Sequence, residues 1–397
     1  MAAGVGQTLE DLSSNAGQEI IGFDFDVRRV ELINSGVSPV EDISNSILSN
    51  AISSGNYRAT DNPKDLSQSD VVIIAVPTPL DFKREPDLKY LISASEIIGK
   101  NLRKPSLIIN ESTSYPGTLR NVIWPTIELN SVKKGMNHYA ISPERVDPGN
   151  KSWDMKNTPR LYAGLCGEAS RHTREVYSLI CDNLIEVSSP EVAEAAKLFE
   201  NTFRQVNIAL VNELAEITSA MNIPVREVLD AAASKPYGFM KFSPGLGVGG
   251  HCIPVDPSYL AFVAEKNGVP ARFINLANKV NLEIPKYVMS RVVDDLGTPL
   301  RDLKVLVCGL SYKPNISDVR ESPSEALIKI LREEGAFVHW HDENVKIWNN
   351  EKSVDLPGKY DAVIVAVRHA NLNVEEIMNS SDYIFDCTGT IEKAKQL

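Results

Sequence analysis

The chain holds no CxxC pair, no low-complexity tract, no internal repeat, and no apolar run near the ~18 residues of a membrane span. Positive charge is the scarcer sign: 41 Lys and Arg face 52 Asp and Glu, a formal net charge of −11. That balance gives no general attraction for nucleic acid or an anionic membrane, so neither is expected as a partner. Any anionic ligand must then be met by local basic residues. Cysteine is sparse as well. The five, at positions 166, 181, 252, 308 and 387, form an odd, scattered set. They exclude a disulfide framework and a structural zinc centre, no metal is expected, and the expected compartment is a reducing cytoplasm. Also lacking is a strand at the start, because MAAGVGQTLEDLSSNAGQ has no run of β-branched or aromatic residues and does not read as a secretory signal.

The 397 residues, 43% of them hydrophobic, suffice for two or three domains with sizeable cores. Glu19-Ile-Ile-Gly-Phe-Asp24 is the first apolar strand, and it ends in an acid. Asp70–Val76 and Ser106–Asn110 are short continuous apolar runs, the pattern of strands buried on both faces of a parallel sheet. Helical spacing over Leu88–Leu102 separates them. From Pro190 the character changes, with a long stretch over Glu191–Asn222 that lacks internal Pro or Gly. Further helices are expected over 224–234 and 256–293. A second α/β series opens at Lys304–Gly309, continues with strands Phe337–His341, Asp361–Val367 and Tyr383–Cys387, and has a helix over Ser324–Glu334. The expected fold class is α/β, with two doubly wound domains joined by a long central helix and a helical middle domain. The expected domains are 1–188, 189–296 and 297–397.

Four constellations bear chemistry. Ser243–Pro257 packs four glycines into Gly245–Gly250 and follows them with His251, Cys252 and Asp256. Cys252 reads either as a small buried hydrophobe or as a thiolate beside freely presented amides. Lys197, Asn201 and Arg204 fall on one face of the long helix, either a solvated face or one turned to a ligand. Ser142-Pro-Glu-Arg-Val146 holds a carboxylate and a guanidinium at a proline turn. Tyr312–Pro323 contains Lys313 and Arg320, a pair suited to phosphates or to ordinary surface duty.

The ordered motifs GFDFD, VPTP, ESTSYPGT, SPERV, KLFENTFR, GVGGHCIPVDP and YKPNISDVRESP resemble the UDP-glucose/GDP-mannose dehydrogenase family from about Glu19 to the C-terminus. The resemblance implies two Rossmann-like domains and an NAD-dependent, four-electron oxidation of a nucleotide sugar from C6 alcohol to carboxylate. GGHCIPVDP is similar to the branch that acts on UDP-N-acetylhexosamines, the manno or gluco epimer, in surface-polysaccharide precursor synthesis. It implies that Cys252 captures the aldehyde as a thiohemiacetal, which is oxidised to a thioester and hydrolysed. It also implies a proton-handling Lys197, Asn201 at the oxyanion or a water, Asp256 activating the hydrolytic water, and Thr113 and Glu144 lining the reacting centre. The cofactor contacts so implied are Asp24, Arg29, Thr78 and Thr113. The substrate contacts are Arg145, Val146, Lys197, Asn201, Arg204, Tyr237, Val248, His251, Tyr312, Lys313 and Arg320. The partner implied is a second copy of the chain, in a homodimer through the central helical domain.

Two departures from the family pattern stand out. A glutamate that serves as base in the UDP-glucose branch is replaced by Pro148, which leaves Lys197, Glu144 or a water for the role. The first strand and its Gly-rich loop are reduced to a remnant around Gly4-Val5-Gly6, although that strand is central in the doubly wound order. The expectation is a truncated start, weak NAD binding and poor solubility. The alternatives are UDP-glucose 6-oxidation, or an inactive sugar-nucleotide-binding remnant.

Overall fold

A computed structural model describes residues 19–40, 43–147, 150 and 152–397. It forms two compact units, the first ending at Phe199 and the second starting at Glu200, inside one helix. The expectations about the first strand and Pro148 fall on residues outside those described.

In the first unit the chain runs β1 (Ile20–Phe23), α1 (Val27–Asn34), α2 (Asn45–Ser53), β2 (Tyr57–Thr60), β3 (Val71–Ile74), α3 (Lys89–Asn101), β4 (Leu107–Asn110), α4 (Trp124–Asn130), β5 (His138–Ile141), β6 (Arg160–Gly164), α5 (Gly167–Tyr177) and β7 (Leu184–Glu186). Then α6 (Pro190–Ala220) begins and crosses into the second unit. Strands β1 and β2 pair in parallel, while β3-β4-β5-β6-β7 form a second sheet, parallel except between β5 and β6. The continuous apolar run of β4 has a direct cause. Ile108 faces a core with Ile74, Leu91 and Ile123, while Leu107 and Ile109 face another with Ala140, Met155 and Tyr177. Side chains alternate along a strand, so helices over both faces require apolar residues at every position. Helix α3 covers one face through Leu91, Ser95 and Ile98, at helical spacing.

The 31-residue α6 opens on Pro190, where a missing N–H leaves no bond unmade. The second unit continues with α7 (Val225–Ala233), α8 (Asp256–Lys266), α9 (Arg272–Leu296), β8 (Lys304–Cys308), α10 (Pro323–Glu333), β9 (Phe337–His341), a hairpin of β10 (Ile347–Trp348) and β11 (Glu351–Lys352), β12 (Ala362–Val365), α11 (Val374–Met378), β13 (Ile384–Asp386) and β14 (Lys395–Gln396). Its main sheet is wholly parallel, in the order β14-β13-β12-β8-β9. The stretch 256–293, expected as one helical segment, is two helices. Gly268, with φ +75°, and Pro270 separate α8 from α9. Among the described residues, no helix is long and apolar enough to cross a membrane. All five cysteines are free thiols, with Cys166 and Cys252 exposed.

Candidate active site

Cys252 lies in the turn that leads into α8, and its carbonyl accepts the amide hydrogens of Val255 (3.1 Å) and Asp256 (2.8 Å). Asp256, 2% exposed, is the first residue of α8, and its Oδ2 accepts a hydrogen bond from Nδ2 of Asn201 at 2.5 Å. The side chains of Asn201 and Asp256 are thus bonded to each other, and Cys252 meets Asp256 through its backbone carbonyl. Asn201 spends one amide hydrogen on Asp256 and keeps a second N–H.

The glycines before Cys252 bring bare backbone against the protein's own side chains. A Cβ on Gly249 would sit 2.6 Å from Tyr312 Cβ and 2.9 Å from Pro323 Cδ. On Gly250 it would meet the Tyr312 ring at 2.8 Å, and on Gly247 the Asn281 carbonyl at 2.8 Å. The bare backbone accommodates the protein's own 312–323 segment. Nor is the Gly250 amide freely presented, since it donates to the Arg320 carbonyl at 3.0 Å. Val248 lies within this interlocked loop. Arg320 forks onto Asp318, with Nη2–Oδ2 at 2.6 Å. That hydrogen bond raises the guanidinium above its ordinary value against the effect of burial, and the charges of Asp318, Tyr312 and Cys252 add to it. Burial first, and then Arg320, hold the His251 imidazole below its usual range. Arg320 thus sets a fixed positive charge near Cys252, the kind of neighbour that favours a thiolate.

In the first unit the SPERV carboxylate is tightly held. Glu144 Oε1 accepts the amides of Arg145 and Val146, both at 2.7 Å, and Oε2 accepts Arg160 Nη1 at 3.2 Å. Burial acts to raise Glu144, but Arg160, the two amides and the charge of Lys197 outweigh it and keep the carboxyl below its usual range. Arg160 also donates to Glu111 and, from Nε, to Ser142 Oγ at 2.7 Å, and it stacks 4.3 Å over the Tyr177 ring. Burial pushes Glu111 up, Arg160 opposing and Glu144 adding. Arg145 turns its guanidinium to the Pro159 carbonyl, and Val146 is half-buried.

Asp24 stands at the carboxyl end of β1, where Oδ1 accepts the Asp26 amide at 3.0 Å and Oδ2 lies 3.6 Å from Arg29 Nη1. Thr78 follows β3 and is buried, and Thr113 follows β4 and is half-buried. An acid and hydroxyls at the carboxyl ends of parallel strands have the donor and acceptor chemistry for a nucleotide's ribose and amide groups, so the described residues fit NAD. Among the substrate candidates, Arg204 and Tyr237 are exposed. Lys197 and Asn201 lie one turn apart on α6.

The sequence reading missed Arg160, Tyr177 and Glu194. Glu194 is buried on α6 and accepts hydrogen bonds from the amides of Gly117 (2.6 Å) and Leu119 (3.0 Å) and from Ser114 Oγ. Burial pushes it up to about 7. The available signal for Arg160 was a charge at the head of the apolar run Leu161–Ala163, which calls for buried acid partners.

Family models match in the same order as these elements. The NAD binding domain of the UDP-glucose/GDP-mannose dehydrogenase family matches residues 3–181, its central domain 191–283 and its UDP binding domain 306–393. Protein CapL of Staphylococcus aureus is 35% identical over 92% of this chain and 87% of its own length. The UDP-N-acetyl-D-glucosamine 6-dehydrogenase of Pseudomonas aeruginosa is 33% identical, over 95% and 92%. Among solved structures, the UDP-D-ManNAc dehydrogenase of Pyrococcus horikoshii superposes with a TM-score of 0.89 at 29% identity, covering 99% of this chain and 94% of that one. With all three of the family's domains matched in order over most of its length, the chain belongs to the UDP-glucose/GDP-mannose dehydrogenase family.

Proposed function

We propose that the protein oxidises the C6 alcohol of a UDP-N-acetylhexosamine, UDP-ManNAc or UDP-GlcNAc, to the uronic acid, for a surface-polysaccharide precursor. The observation that carries this reading is the side-chain bond from Asn201 to the buried Asp256 carboxylate, at a helix start whose Asp256 amide donates to the backbone carbonyl of Cys252. Two NAD+ molecules, bound in turn, would each accept one hydride, the first from the C6 alcohol and the second from the thiol adduct of the aldehyde. A water takes the proton of the C6 hydroxyl, and the Lys197 ammonium, with Glu144 as a fixed negative partner, stabilises the developing alkoxide. The Cys252 sulfur adds to the C6 aldehyde, so that a C–S bond forms while the carbonyl oxygen gains a proton. This adduct retains the half-oxidised sugar. The second N–H of Asn201 holds the oxygen. At the thioester stage Asp256 draws a proton from water, whose oxygen displaces the thiol and leaves a carboxylate.

In this reading 1–188 binds NAD through Asp24, Arg29, Thr78 and Thr113, 189–296 carries the spine, and 297–397 binds the UDP moiety. Arg145, Val146, Arg204, Tyr237, Val248, His251, Tyr312, Lys313 and Arg320 contact the nucleotide sugar. The protein is a cytoplasmic homodimer through its central helical domain. In support, Phe203, Leu210 and Ile217 recur every seventh residue on α6 with 41%, 60% and 52% of their surfaces exposed, and the cysteines are thiols. The test is incubation with UDP-ManNAc, UDP-GlcNAc and UDP-glucose. Two equivalents of NADH per acetamido sugar are expected, and no acid from Cys252→Ala. UDP binding without NADH from any sugar would leave only a binding protein, and turnover confined to UDP-glucose would move the substrate to the other branch.

A further inference from the structure

Asp342, Glu343 and His369 each bring one ligand atom within 4.8 Å of the others, a spacing that a divalent cation could bridge. The hydrogen bonds assign two of them elsewhere. Asp342 Oδ2 accepts the amides of Leu310 (2.7 Å) and Ser311 (3.0 Å), and Oδ1 accepts those of Asn344 (2.8 Å) and Val345 (2.9 Å). Both oxygens face N–H donors, which is the surrounding of a buried anion rather than of a metal ligand. Burial acts to raise this carboxyl, but His369 and the amides bring it down to about 2.

His369 is wholly buried and both of its ring nitrogens are engaged. Nδ1 meets two donors, the backbone N–H of Asn315 at 2.8 Å and Nδ2 of Asn344 at 2.9 Å, so it has no hydrogen of its own. Nε2 therefore bears the proton and donates to Asp342 Oδ2 at 3.0 Å, with Ser311 Oγ at 3.3 Å. Ser311 Oγ is free to accept there because its own hydrogen goes to the Lys313 carbonyl at 2.9 Å. Asn315 closes the arrangement, since it sits at φ +65° and its Oδ1 takes the amide of Ala370 at 2.7 Å. The residues come from the carboxyl ends of β8, β9 and β12, which are adjacent in the sheet. What they hold is the turn from Ser311 to Asn315, the segment whose Tyr312 packs on Gly249 and Gly250.

We propose that His369 is a positioning residue for nucleotide-sugar binding: its neutral imidazole, braced by Asp342, fixes the Ser311–Asn315 turn and thereby the direction of Tyr312 and Lys313. This rests on the reading of 297–397 as the UDP-binding part. Two substitutions separate the ring nitrogens. His369→Asn keeps an acceptor near the Nδ1 position, whereas His369→Gln reaches the Nε2 position and leaves the Asn315 amide without a partner.

Hydrogen exchange of the unliganded protein should be faster over 311–316 in the Gln variant and near the unaltered rate in the Asn variant. UDP affinity by calorimetry should fall roughly tenfold in the Gln variant, the loss of one buried hydrogen bond, and much less in the Asn variant. Unchanged exchange and affinity in His369→Gln overturn the proposal. Equal losses in both variants also overturn it, because they report general damage rather than the missing acceptor. If the unaltered chain does not bind UDP, the nucleotide-sugar reading falls, and the exchange pattern alone then decides whether the imidazole holds the turn.

Discussion

Arg160→Met is the substitution with the largest worked consequence for the first unit. Arg160 is 4% exposed, and its guanidinium joins Glu111, Glu144 and Ser142 Oγ. Methionine keeps much of the stem but leaves two buried carboxylates without their shared cation. Removing one partner of a buried ion pair typically costs ~3–5 kcal/mol, a large share of the ~5–15 kcal/mol that stabilises a domain. For a unit of this size the midpoint of thermal unfolding should fall by roughly 10 °C. The pH dependence has a definite sign. Glu144 is held below its usual range, so its contribution is present above its unfolded value and is lost as the pH falls through the folded one. Glu111 is raised, so its ionisation opposes folding as the pH increases. Both effects make the deficit of Arg160→Met greatest near neutrality and smaller once the carboxyls are protonated, below about pH 4. Adding Glu111→Gln removes one of the stranded charges and should recover part of the loss. Urea denaturation of the three proteins from about pH 2.5 to pH 8 checks this. A single variant within ~1 kcal/mol of the parent at neutral pH, or a deficit constant across the range, would refute the reasoning.

Glu194, raised to about 7 from 4.5, should make the parent lose stability as the pH rises between those values, by up to ~3 kcal/mol. Glu194→Gln should flatten that slope in the same denaturation series, and a parent with no slope there argues against a buried acid. Asp256→Asn should lower steady-state acid formation by ~100-fold or more while sparing a first-turnover burst of NADH, read by stopped flow. An equal loss of burst and steady state would assign Asp256 to an earlier step. Leu210→Glu places a charge in the exposed apolar stripe of α6 and should shift the species seen by light scattering from dimer to monomer. A parent that is already monomeric contradicts the dimer.

Legibility from the sequence followed the physics of each element. β3 and β4 were plain because burial on both faces forces continuous apolar runs, and α6 was plain because 31 residues pass without an internal Pro or Gly. β2 was not, because Tyr-Arg-Ala-Thr alternates for only four residues. The break between α8 and α9 was visible in Gly268 and Pro270, yet apolar spacing on either side concealed it. Asn201, Cys252 and Asp256 were each legible as residue types, but their bonding depends on where α8 starts. The Arg160 cluster was illegible for a topological reason. Glu111 follows β4, Glu144 follows β5 and Arg160 opens β6, and these become neighbours only through the strand order.

The interlock of Gly249 and Gly250 with Tyr312 and Pro323 bears on how the protein can be re-engineered. The two segments lie more than sixty residues apart in sequence, yet each is shaped to the other at distances that leave no room for one added carbon. A swap of nucleotide preference by transplanting 311–323 alone from a relative would set a foreign ring against a backbone cut for Tyr312. The graft must take 247–250 with it. Cys252 follows two residues later, so on the proposed reading such a chimera also resets the thiol, and binding and chemistry move together.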